Sequence, residues 1–244
     1  MKFTNLVLIL FLVFSIIQCD NSSSKPNSKA VEDLFEFITY GSVSQQEVND
    51  IAEKLDENYQ RILDDLQTDI TGNITVKIWA DRSQFMSDME RDLGIRYEGA
   101  TGYLFSRTEI RILHIGDAPQ TVHHEFAHVA LLFVNPNFSN NPRWLWEAVA
   151  LYESGEFIDP KDVNFMYLGD YPTIEELDMD YNDGVKIYRV GYVLLEYIIE
   201  TWGMEKVIEL INSNGDLEND LGVTVANFEQ NWYQYIEDKY LSEN

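Results

Sequence analysis

A single cysteine in 244 residues excludes an internal disulfide. Basic residues are scarce as well: 17 Lys and Arg stand against 42 Asp and Glu, giving a net charge of −25 and a pI near 4.3. Binding a phosphate backbone needs a basic patch, and the sequence contains none, so nucleic acid is excluded as a partner. The acidity reads as a solvated surface suited to solubility or a salty medium, with selection of basic substrates as the alternative. The apolar run from Leu6 to Ile17 falls short of the ~20 residues that span a membrane. What is present suffices for one sizeable domain, since 45% of the chain is hydrophobic and 13% aromatic.

The N-terminus reads as an export signal, with Lys2 ahead of the apolar run and Cys19 directly after it. The segment "IIQC" resembles a bacterial lipoprotein box, with Gln18 where a small residue is usual. That resemblance implies a signal peptide over 1–18, lipidation of Cys19 and a protein held on the outer side of the membrane in the bacterial cell envelope. A conventionally cleaved signal, giving a secreted protein, or an uncleaved anchor are the alternatives. The polar, Ser-rich stretch that follows suits a flexible tether over 19–30, leaving a domain over 31–244.

That domain divides by pattern into an α/β part over 31–116 and a helical part over 117–244. In "QQEVNDIAEKLDENYQRILDDL" the residues Val48, Ile51, Leu55, Tyr59, Ile62 and Leu66 share one helical face. "NITVKIWA" alternates as a strand, and "RSQFMSDMERDLG" reads as a short helix ended by Gly94. "ATGYLFS" and "EIRILHI" look like two strands joined at Arg107-Thr108. The fold class is therefore α+β, a small mixed sheet followed by a mainly helical subdomain. His114, in the last strand, reads as a packed or edge histidine.

Histidine is rare, yet three of the four lie in "TVHHEFAHVALLFV", Thr121 to Val134. An ordinary buried helix would account for the apolar spacing. His124 and His128, however, are four apart, which stacks both imidazoles on one helical face, with Glu125 beside the first. This is H-E-x-x-H, a two-histidine metal grip with a built-in carboxylate base. His123 has alanine four residues on, at Ala127, which fixes the register and leaves His123 to flank the pair or to support its ligands from behind. The helix is expected to start near Asp117 to Pro119 and to stop before Asn135-Pro136. After a loop, Asn141 reads as an N-cap and Pro142 as the first residue of a second helix. Packed antiparallel to the first, that helix brings Glu147 to the histidine pair. Glu147 could otherwise be a surface acid. Glu153, on a different face, is expected in a solvated or helix-end role.

Eighteen residues separate His128 from Glu147, which sits in "WEAVALYE". With the H-E-x-x-H motif, this strongly resembles the gluzincin metallopeptidases of the peptidase MA-like group, related to the catalytic domain of zinc aminopeptidases. "IYRVGYVLLEYIIETWG" is similar to that family's Y-x-x-G helix, with Tyr188 in the place of its tyrosine; packing of a helix is the plainer reading of Tyr188. The likeness covers roughly residues 74 to 240. It implies a zincin-like fold with its active site in a cleft between sheet and helices. It further implies one zinc ion on His124, His128 and Glu147, Glu125 as general base, and Tyr188 helping to hold the reacting carbonyl. Peptides or proteins would be the substrates. Related aminopeptidases hold the substrate amine with a G-x-M-E-N segment on the cleft-edge strand. "GATGYLFSRTEI" has no such segment, and Glu98 and Glu109 lie in the wrong local pattern. The expectation is thus a zinc endopeptidase, with a non-catalytic binding or assembly lipoprotein as the alternative; oligomeric state is not legible.

Overall fold

Strand pairing begins at the polar segment after Cys19. The computed structural model describes residues 21–24, 34–179 and 186–242, so the expected signal peptide and Cys19 itself lie outside the described residues. Asn21–Ser24 forms strand β1, antiparallel to β2 (Phe35–Tyr40), with Asn21 opposite Tyr40 and Ser24 opposite Phe37. The flexible tether expected over 19–30 therefore does not hold at these four residues. A ladder bonds main chain to main chain, so a polar segment can cover the open edge of β2 without apolar side chains. β2 was likewise not expected; its buried positions Phe35, Phe37 and Thr39 alternate with period two.

Helix α1 (Gln45–Asp65) follows, capped by Ser44, whose hydroxyl accepts from the Glu47 N–H while the Glu47 carboxylate accepts from the Ser44 N–H. β3 (Ile74–Trp79) runs parallel to β2, and α2 (Arg82–Leu93) ends at Gly94, whose φ of 71° suits a residue without Cβ. β4 (Gly102–Ser106) and β5 (Glu109–Leu113) form the expected antiparallel hairpin, β5 lying parallel to β3. The sheet order is β1-β2-β3-β5-β4, mixed in direction, with β4 at one edge.

The rest is helical: α3 (Ala118–Val134), α4 (Arg143–Ser154), α5 (Ile174–Met179), α6 (Ile187–Trp202), α7 (Met204–Ser213), α8 (Leu217–Leu221) and α9 (Val225–Ile236). Alternation along the strands divides the sheet's side chains between two clusters. Val76, Ile78, Ile110 and Ile112 join α1 and α3 in a hydrophobic cluster that continues without interruption through α4 and α6 to Trp232. Trp79, Tyr103 and Leu113 form a smaller cluster with Phe85, Met86 and Met89 of α2. The α/β and helical parts therefore share one core, and α3 is the element common to both. Among the described residues no helix is long and apolar enough to cross a membrane.

Candidate metal centre

Helix α3 starts where a carboxylate can cap it. Asp117 accepts from the Gln120 N–H at 3.2 Å, Pro119 sits in the first turn, and the helix stops at Asn135 ahead of Pro136. One turn apart on this helix, the rings of His124 and His128 meet edge to face at 4.7 Å. The start of α4 differs from the expected one. Pro142 occupies the cap position, the helix begins at Arg143, and Asn141 contributes no cap. Proline has no side-chain acceptor to offer; instead Asp178 of α5 accepts from the Arg143 N–H at 2.6 Å. This cap comes from 35 residues away, where local sequence pattern gives no sign of it.

So placed, α4 presents Trp146 and Glu147 to α3. The Trp146 indole stacks on the His128 ring at 4.2 Å and 5°. Glu147 Oε2 lies 3.3 Å from His124 Nε2 and 3.6 Å from His128 Nε2. All three residues are buried, and one ligand atom from each lies within 4.8 Å of the other two. Glu147 Oε2 is shielded from solvent without a hydrogen-bond partner. Leaving a carboxylate oxygen so is costly unless something else completes it. Two imidazole nitrogens and one carboxylate oxygen form a donor set that fits a divalent metal ion. Among the described residues this is the only such group.

A second carboxylate holds the first histidine from behind. His124 Nδ1 and Glu156 Oε1 are 2.8 Å apart, and the Ser154 hydroxyl donates to the same oxygen at 2.7 Å. Gln120 donates to the Ser154 carbonyl at 2.8 Å, closing the turn that carries Glu156 back over α3. A carboxylate on the far nitrogen of a metal-binding imidazole fixes its tautomer and ring orientation. Sequence reading missed Glu156. The signal available was the Gly155 helix stop, which turns the following residue back toward α3.

The electrostatics follow from burial and these partners. Burial opposes charge on His124, but the carboxylates of Glu147 and Glu156 beside it outweigh that and hold the metal-free imidazole protonated up to about 10. His128, with Glu147 as its one carboxylate, is pushed down to about 4 by burial. Glu147 is held well below the usual carboxylate range, because the two histidines overcome the burial that would raise it. Glu125 is pushed up to about 8, chiefly by burial, with Glu147 and Glu156 adding repulsion and His124 partly offsetting it.

Glu125 stands against β4. A Cβ at Gly102 would lie 2.7 Å from Glu125 Oε1 and 2.7 Å from Thr121 Cγ2, so only glycine lets the strand pass this close. Tyr188 is brought in by a second close approach. A Cβ at Gly191 would lie 2.6 Å from Leu151 Cδ1 and 3.2 Å from the Ala148 Cα, so this glycine allows α6 to press onto α4. One turn before it, the Tyr188 ring lies 6.3 Å from that of His124 and 5.7 Å from the Arg143 guanidinium. Tyr188 is 40% exposed, yet desolvation by its neighbours and the charge of Glu147 push the phenol up, so it remains a proton donor.

The other residues singled out in the sequence lie apart from this group. His114 lies just past the end of β5, an interior strand, so it is not the strand histidine expected; its Nε2 is 3.3 Å from Glu47 Oε1. His123 is buried, and neither ring nitrogen has a hydrogen-bond partner, so it flanks the centre without supporting it. Glu153 is at the helix end but is not solvated. It is fully buried, its Oε2 accepting from Arg61 at 2.7 Å and its carbonyl from the same guanidinium. The expected exposure fails because α1 packs over that face and brings a cation. Glu109 is taken by Lys77 at 2.9 Å and Arg111 at 2.6 Å, and Glu98 by Arg96 at 2.6 Å. No family model matches the chain, and no curated protein matches it.

Proposed function

We propose that this protein is a zinc-dependent peptidase of the gluzincin type, cleaving internal peptide bonds in the cleft between β4 and the helices. The observation that carries this reading is the pairing of the buried His124–His128–Glu147 group with Glu125, a buried carboxylate beside that group and outside the ligand set. A scaffold that merely stored a metal would have no use for that acid.

His124, His128 and Glu147 would hold the zinc ion. When bound, zinc supplies Lewis acidity, acidifying a water molecule and polarising a carbonyl. Glu125 takes the proton as water attacks the peptide carbonyl and returns it to the leaving amine. The neutral Tyr188 hydroxyl donates to the oxygen on which negative charge develops. Glu156 keeps the His124 ring oriented throughout. β4, an edge strand passing directly over Glu125, offers main-chain groups to an extended substrate. The endopeptidase preference is supported by the absence of a G-x-M-E-N segment from β4 and its flanks and by Glu109, which is held between Lys77 and Arg111.

The test uses one fluorogenic peptide with a free and with an acetylated N-terminus, with and without chelator, on the parent and on Glu125→Gln. Expected are chelator-sensitive internal cleavage of both peptides and a fall of about 10²- to 10⁴-fold in Glu125→Gln at undiminished zinc content. Parental turnover in that variant removes Glu125 from the mechanism. Release of single residues from the free peptide alone makes the protein an aminopeptidase. The proposed location is the cell envelope, through a lipid on Cys19. Cys19→Ser should lose both lipid labelling and membrane retention.

A further inference from the structure

The two histidines of the metal centre are held in different ways. Behind His124, Nδ1 meets the Glu156 carboxylate at 2.8 Å. Behind His128 there is no counterpart: its Nδ1 is shielded from solvent and has no hydrogen-bond partner among the described residues. A metal-binding imidazole ordinarily bonds through its far nitrogen, which fixes tautomer and ring orientation, and burying that nitrogen unpaired carries a cost. At His128 it is the face of the ring that is occupied. The Trp146 indole lies on it at 4.2 Å and 5°. The indole is itself confined, since it is buried and Phe138, from the loop between α3 and α4, packs against it at 5.9 Å and 57°. Trp146 directly precedes Glu147, so consecutive residues of α4 set an aromatic face on His128 and a carboxylate oxygen 3.6 Å from its Nε2.

We propose that Trp146 is a positioning residue for the metal ligand His128, supplying by ring stacking the orientation that Glu156 gives His124 by hydrogen bonding. This rests on the metal-binding part of the reading above and is independent of peptide hydrolysis. The torsion about the histidine Cβ–Cγ bond has broad wells, so an imidazole without a hydrogen bond swings through a wide range. A stacked indole confines the ring plane and leaves two settings, half a turn apart. In one, Nε2 faces Glu147, as it does here; in the other, a ring carbon takes that place. The Glu147 carboxylate favours the first. Stacking therefore removes beforehand much of the freedom that metal binding would have to freeze. It does so without adding a further carboxylate beside Glu125, Glu147 and Glu156, which already repel one another.

The experiment compares zinc affinity, by competition with a chromophoric chelator, in the parent, Trp146→Phe and Trp146→Leu. Phenylalanine keeps a ring face, whereas leucine fills part of the space without one. Expected are an affinity within about threefold of the parent for Trp146→Phe and about tenfold lower for Trp146→Leu. Two spectroscopic readouts separate positioning from folding. In the metal-free parent the His128 ring protons lie over the indole face, so their NMR signals should sit upfield and move back in Trp146→Leu. With cobalt in place of zinc, the visible absorption bands report the geometry of the donor set; they should coincide in the parent and Trp146→Phe and differ in Trp146→Leu. Equal zinc affinity in all three proteins, or an equal loss in both variants, overturns the role of the stack while the metal centre stands. Unshifted His128 signals in the parent overturn it whatever the variants do. A parent that takes up no zinc overturns the metal reading, and this inference with it.

Discussion

Glu147 and Glu153 lie on the same helix, both buried, and the fold treats them in opposite ways. At the first end of α4, Glu147 faces two imidazoles and is held ionised far below the usual range. At the other end, Glu153 faces one guanidinium that is itself half exposed and shared with Asp65. Burial prevails there, raising its pKa to about 7. One carboxylate is therefore kept as a charged ligand atom, and the other serves as a tie between α1 and α4. The difference comes from the number and burial of the partners, since residue type and helix are the same.

The largest effects separate the two ends by readout. Glu147→Ala should abolish stoichiometric zinc binding, measured by metal analysis after dialysis, because no other carboxylate among the described residues joins the histidine pair. Equal zinc in variant and parent would place the third ligand elsewhere. Glu153→Ala should leave zinc content unchanged and lower unfolding free energy by about 2 kcal/mol. That is less than the loss of a fully buried ion-pair partner, because Arg61 is 43% exposed and stays solvated. A denaturation midpoint equal to that of the parent would show that the tie contributes nothing.

Glu156→Gln sharpens the comparison at the metal end. The amide retains the shape but not the charge that orients His124, and zinc affinity should fall about 10- to 100-fold in competition with a chromophoric chelator. Unchanged affinity would mean that the His124 ring is positioned by packing alone.

The structural end also sets a pH dependence. In the folded chain Glu153 keeps its proton up to about 7, against an ordinary value of 4.5. The folded state therefore binds more protons than the unfolded state between those values, and stability falls as pH rises through that window. The slope from this group is at most about 1.4 kcal/mol per pH unit. Glu153→Gln removes that slope, so the stability difference between parent and variant should change between pH 4.5 and 7 and become constant above it. Parallel stability curves across the window would show that Glu153 is ionised throughout.

The sequence by itself determined whatever depends on neighbours within about one helical turn. The four-residue spacing of His124 and His128 puts both rings on one face wherever that helix goes. Asp117, Pro119 and Asn135-Pro136 bound the helix through their own backbone chemistry, and Gly94 ends α2 for the same reason. Alternation in "NITVKIWA" and in the hairpin marked three of the five strands. β1 and β2 were not legible, since a polar strand takes its place by main-chain pairing alone and β2 is short and close to a long helical pattern. The Asp178 cap on α4, the Glu156 bond to His124 and the burial of Glu153 under Arg61 were decided only by the tertiary structure. Each joins side chains from different elements, and helical spacing carries no information about which face another element will cover. Glu147 lies between the two cases. Its spacing from His128 suggested the role, but only the packing of α4 on α3, with Trp146 stacked against His128, sets its oxygen between the two imidazoles.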